Sequence, residues 1–110
     1  MSESIRVTFF GDFIATVCES ITVSSSLQHL LSTSDINCCN YEAPSKNSGI
    51  PVSKSGSTIY QSLNSPEFLE ELGFNLVQMA NNHMFDFDKD GFEQTASLFK
   101  KAVLAGIFYC

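Results

Sequence analysis

Two amides, an imidazole and a carboxylate are crowded into Asn81-Asn82-His83 and Asp86, directly after the apolar run of residues 74–80. A strand that only had to turn would more cheaply use Asn-Gly, Asp-Gly or a proline, which supply turn dihedrals directly. Taken singly, each of these residues reads as a turn side chain capping backbone groups. Together they offer amide and carboxylate oxygens and a ring nitrogen, a donor set suited to a divalent cation such as Mn, Fe, Zn or Mg. Two more acids stand in equivalent places: Asp12 follows the run 5–10, and Glu42 follows the run 36–41. No cysteine falls among these positions, which argues against a thiolate zinc site. A bound ion could activate a water and hold the charge of a phosphoryl or acyl transition state, while His83 donates a proton to the leaving group.

The runs that carry these residues are near-continuous in apolar side chains, as expected of strands buried on both faces of a parallel sheet. Strands are expected at 5–10, 36–41, 74–80 and from Ile107 onward. Helices are expected between them. Residues 24–31 offer Ser24 as N-cap and Leu27, Leu30 and Leu31 on one face. Residues 65–73 place Ser65 as cap, Pro66 at the first helical position, Glu67 at the positive end and Gly73 as the stop. Residues 90–105 place Asp90 as cap, Phe92, Thr95, Ala96, Phe99 and Val103 on one face, and Gly106 at the stop. Asp88 and Lys89 read as part of the same helix start. The resulting β-α-β-α-β-α-β order implies an α/β fold, a layered and mostly parallel sheet flanked by helices with right-handed crossovers. In such sheets ligands bind beyond the carboxyl ends of the strands, where Asp12, Glu42, Asn82, His83 and Asp86 all fall. Neighbouring strands lie about 4.8 Å apart, so three adjacent strands would bring these groups within about 10 Å of one another. Residues 44–57, rich in Ser, Gly, Pro and Lys, read as a long surface loop.

With 110 residues and 44% hydrophobic content, the chain is sized for one domain that needs no covalent staples. A net charge of −6 gives no source of attraction to nucleic-acid phosphates or anionic lipid. Cys18, Cys38, Cys39 and Cys110 show no CxxC spacing and read as reduced, packed thiols of a cytoplasmic protein. The run 5–10 is broken by Gly11-Asp12 far short of a signal or membrane-spanning segment. His29, with no ligand-type neighbours, reads as structural or solvent-facing. Phe9, Phe10, Phe13, Phe74, Phe92 and Phe99 read as core, and Lys46 and Lys54 as a solvated face.

FFGDF at 9–13, NYEAP at 40–44, LGFNLVQMANNHMFDF at 72–87, and the GFEQT helix with its AGI ending make the chain resemble the CapA-type, or poly-γ-glutamate, capsule biosynthesis family. That family is similar to the calcineurin-like metallophosphoesterases. The resemblance covers about 100 residues. It implies metal binding by Asp12, Glu42 and Asn82, proton donation by His83, and supporting roles for Asn40, Asn81 and Asp86. It also implies a metal-dependent hydrolase-like site acting on a polymer or phosphoester in capsule synthesis. The alternative is a non-catalytic subunit of a polymer-synthesis complex that keeps the fold without turnover. Residues 1–110 then correspond to an N-terminal portion of the family domain, half of a metallophosphoesterase-like fold, with later histidine ligands supplied beyond it. Two departures stand out: no N-terminal membrane anchor is present, and Asp88 occupies a position where the family usually has glycine.

Overall fold

The computed structural model describes residues 3–46, 49–101 and 105–107. Four strands, β1 (Val7–Phe13), β2 (Ile36–Tyr41), β3 (Leu76–Gln78) and β4 (Ala105–Ile107), alternate with the helices α1 (Ser25–Thr33), α2 (Ser65–Leu72) and α3 (Asp88–Lys101). The strands are all parallel and lie in chain order, β1-β2-β3-β4. The α/β layered architecture expected from the alternating runs is therefore the observed one.

Strand register determines which side chains face the helices. Cys39, Tyr41, Val77 and Met79 form one buried cluster with Leu31 of α1, Leu69 of α2 and Phe99 of α3, so the three helices cover one face of the sheet. Successive side chains of a strand point to opposite faces. Phe10 and Phe13 pack against this cluster, while Phe9, paired with Cys38 in the register, belongs to the other face and is 78% exposed. Phe9 is thus not a core residue: it sits on an edge strand, on the face that carries no helix among the described residues. Phe10 meets Phe74 edge-on with ring centroids 4.9 Å apart, and Phe13 stacks on Tyr41 at 6.4 Å.

Helix ends follow their local chemistry, with some corrections. Ser24 caps α1, accepting a hydrogen bond from the Leu27 amide at 3.2 Å. The N-cap of α2 is Asn64, not Ser65. The Ser65 hydroxyl is turned inward to the Ser62 carbonyl at 2.8 Å and the Tyr41 hydroxyl at 2.6 Å. Gly73 ends α2 in the left-handed region at φ 107°, and the Phe74 amide closes the turn on the Leu69 carbonyl at 3.0 Å. Because Phe74 completes that turn, β3 starts at Leu76 and is shorter than the apolar run. Asn37 in β2 donates to the carbonyls of Leu31 at 2.8 Å and Gly73 at 2.9 Å, tying the ends of α1 and α2 to the sheet.

Strand β1 runs through Gly11 and Asp12 instead of stopping before them, and its register against β2 shifts between Phe9 and Asp12. An irregularity of this kind re-aims the side chains at a strand end. Helix α3 starts at Asp88, two residues before the expected cap. Gly106 is not a helix stop: it pairs with Val77 in β4. Asp88 has φ 57°, a left-handed conformation that favours glycine and that Asp tolerates better than most side chains. Val103 and Cys110 lie outside the described residues. Cys18, Cys38 and Cys39 are free and buried, and burial together with the nearby Cys38 pushes the Cys39 thiol up to about 12. Among the described residues no helix is long and apolar enough to cross a membrane.

Candidate functional site

The order β1-β2-β3 puts the carboxyl ends of these strands side by side, with Asp12 opposite Asn40 and Asn40 opposite Gln78. A chain of amide hydrogen bonds crosses all three. Asn40 Nδ2 donates to Asp12 Oδ1 at 2.8 Å, and Asn40 Oδ1 accepts from Asn81 Nδ2 at 3.1 Å. Asn81 Nδ2 also donates to the Tyr41 carbonyl at 3.0 Å, and its Oδ1 accepts the His83 amide at 3.1 Å. The two residues expected to support the site, Asn40 and Asn81, therefore link Asp12 to the backbone of His83.

Glu42 stands one residue past β2, its amide bonded to the Phe13 carbonyl at 3.2 Å. Its carboxyl group lies close enough to that of Asp12 for each to shift the other's proton affinity. Bonds from Asn40 and Glu42 hold the Asp12 carboxyl below its usual value. Burial raises Glu42, and the hydrogen bond and charge of Asp12 raise it further, against an opposing pull from His83. The hydrogen bond from the His83 amide to Asn81 Oδ1 brings His83 to the same end of the sheet.

His83 is oriented by Asp86. After β3 the chain turns tightly, with the Asp86 amide on the His83 carbonyl at 2.9 Å and the Asp88 amide on the Phe85 carbonyl at 2.9 Å. Met84 and Asp86 point inward, at 0% and 1% exposure, while His83 between strand and turn stays half-buried. Asp86 Oδ2 lies 2.8 Å from His83 Nδ1 and accepts the Ile59 amide at 2.8 Å. Lys54 Nζ forms an ion pair with Asp86 Oδ1 and lies 3.4 Å from His83 Nδ1. Burial pushes the Asp86 carboxyl up, but the bonds from Lys54, His83 and Ile59 together outweigh it, and the group ends below its ordinary value. With Nδ1 engaged by an ionised carboxylate, Nε2 is the ring nitrogen available for proton exchange.

Lys54, still exposed as a residue, is therefore an ion-paired loop charge and not a free one. It was hidden in the sequence because the approach of the loop to Asp86 is a tertiary contact. Gln61, buried, was missed for the same reason. Its side chain holds the Ala15 amide at 3.1 Å and the Phe13 and Ala43 carbonyls at 3.1 and 3.3 Å, anchoring the loop to the ends of β1 and β2. The return from polar loop to the apolar pair Ile59-Tyr60 was the available signal that the chain re-enters the fold there. Asn82 is exposed, and the hydrogen bonds of the site run through Asn81 beside it.

Among the described residues no group of three or more His, Cys, Asp or Glu side chains is arranged to hold a metal ion. The nearest approach is the Asp12–Glu42 pair, two neighbouring carboxyls whose affinities for protons are pushed apart, with amides around them. Such a donor set fits a cation that would satisfy both carboxylates.

The family model for the bacterial capsule synthesis protein PGA_cap matches residues 11–107. The chain belongs to this family. The match opens on Gly11-Asp12 and takes in Asn40, Glu42 and the whole segment from Asn81 to Asp86. No curated protein matches the chain.

Proposed function

We propose that this capsule synthesis protein carries a metallophosphoesterase-like, metal-dependent hydrolytic site at the carboxyl ends of β1, β2 and β3. The observation that supports the reading most is the convergence there of an acid pair, Asp12–Glu42, with an imidazole held by its own buried carboxylate, His83–Asp86. Asp12 and Glu42 would hold the cation, with the exposed Asn82 amide as a further oxygen donor. Mn, Fe, Zn and Mg all accept such donors. The ion when bound supplies Lewis-acid polarisation of an ester oxygen and an activated water. Asn40 fixes the Asp12 carboxylate, Asn81 fixes the His83 backbone, and Asp86 holds the ring so that Nε2 can pass a proton to a leaving oxygen. The substrate class in this reading is a phosphoester, on or derived from a capsular polymer, and the setting is a capsule-synthesis complex in the cytoplasm.

Two carboxylates and one amide leave the remaining coordination positions to water, so a substrate would be poorly held in line. The 110-residue chain is therefore expected to hydrolyse a model phosphodiester no faster than Mn in buffer. A longer family protein that adds histidine ligands to these residues is expected to turn over. Asp12→Asn should abolish that activity, and His83→Ala should lower it about 10²–10⁴-fold. A longer protein inert with Mn, Zn, Fe and Mg alike would contradict the hydrolase reading and favour a non-catalytic subunit.

A further inference from the structure

We propose that Lys54, carried in by the loop between β2 and α2, is a positioning residue of this site. It fixes, through Asp86, the hydrogen bond that orients His83. The proposal rests on the reading of His83 as proton donor but is argued from the loop.

The loop is closed at its base. Ser45 bridges to Gln61, the Lys46 amide donates to the Gln61 carbonyl at 2.7 Å, and the Gln61 amide donates to the Pro44 carbonyl at 2.7 Å. Its far part settles on one residue. The Val52 amide donates to the Asp86 carbonyl at 2.8 Å, the Ile59 amide to Asp86 Oδ2 at 2.8 Å, and Lys54 Nζ to Asp86 Oδ1. Gly49, at φ 153°, lets the loop pass so close that a Cβ there would come within 2.9 Å of the Phe87 carbonyl oxygen.

The two backbone bonds already tether the loop, so the Lys54 side chain is not needed for that purpose. What it adds is a charge on Asp86 Oδ1, which no other described residue is seen to engage, while Oδ2 carries both His83 and Ile59. Without Lys54 a buried carboxylate keeps an oxygen with no donor, an expensive state that it can leave only by taking a proton, rotating or pulling the loop away. Each of those routes loosens its bond to His83 Nδ1. Because the loop base is fixed, the ammonium is delivered intramolecularly and holds one carboxylate orientation.

The test reads the ring itself, by proton–nitrogen NMR of the imidazole groups in the whole chain without metal or substrate. In the wild type the Nδ1–H of His83 is expected as a downfield signal protected from exchange by its buried acceptor, whereas exposed His29 gives none. Lys54→Met should lose this signal or speed its exchange about tenfold or more, and Lys54→Arg, which keeps a charged donor, should retain it. A folded Lys54→Met protein with an undisturbed His83 signal would overturn the proposal, as would an arginine variant that behaves like methionine. Should Lys54→Met not fold, Lys54→Ala takes its place with the same expected and overturning results. Since neither ion nor turnover enters the readout, an inert site would refute the hydrolase reading without touching this one, and the reverse holds as well.

Discussion

Asp86→Ala is expected to cost about 3–5 kcal/mol of folding stability, because it removes one partner of a buried, charge-assisted network. Asp86 is 1% exposed and receives Lys54, His83 and the Ile59 amide. Alanine would leave a partly buried ammonium without its counter-charge and the Ile59 amide without its acceptor, so that only the Val52 amide bond to the backbone carbonyl still ties the loop to the turn after β3. Denaturant unfolding should show the midpoint shifted at an unchanged slope. A loss below about 1 kcal/mol would mean that water replaces these partners and that the network is loose. The pH dependence has a definite sign. The folded carboxyl lies below its ordinary 3.8, so its contribution is present above the unfolded value and is lost as pH falls through the folded one. Wild-type stability should therefore decline as pH drops below about 4, and Asp86→Asn should flatten that decline.

Phe99→Ala is expected to be comparably damaging, at about 3–5 kcal/mol, by opening a cavity behind the site. Phe99 is 1% exposed and meets the Tyr41 ring edge-on, centroids 4.6 Å apart and planes at 87°. This contact seats α3 on β2, the strand that carries Asn40 and leads into Glu42. The Tyr41 hydroxyl is in turn bonded to Ser65, so its ring cannot move into the space without breaking a buried polar contact. For a domain of this size each kcal/mol corresponds to about 4 °C, and the melting temperature should fall by about 12–20 °C. A fall of under about 4 °C would show that α3 is only loosely docked.

The features that the sequence made legible are those set by local pattern. Continuous apolar runs marked strands, Gly73 marked a helix end, and the acids and amides beyond the runs marked one edge of a parallel sheet. Strand adjacency then gathered Asp12, Asn40, Glu42, Asn81, His83 and Asp86 without further information. What stayed hidden depends on tertiary context. An apolar residue on an uncovered face, such as Phe9, has the same local pattern as a buried one, because burial is decided by which face the crossovers cover. Ser65 falls inside α2 with its hydroxyl turned to Tyr41 and the Ser62 carbonyl, and Asn64 at the cap position makes no side-chain cap bond, an outcome set by tertiary contacts. Lys54 sits in a polar loop whose composition says nothing of where it lands. Asp88 was conspicuous as a departure from glycine, yet the backbone there keeps the conformation glycine favours.

The central claim is that Asp12 and Glu42 together bind a divalent cation, and calorimetric titration of Mn and Zn into the chain across about pH 6 to 8 tests it most directly. Weak binding is expected, with a rise in melting temperature at excess ion. Asp12→Asn should remove both the heat and the rise. Absence of heat and of any melting shift with either ion in the wild-type chain, or binding that survives Asp12→Asn unchanged, would contradict the account.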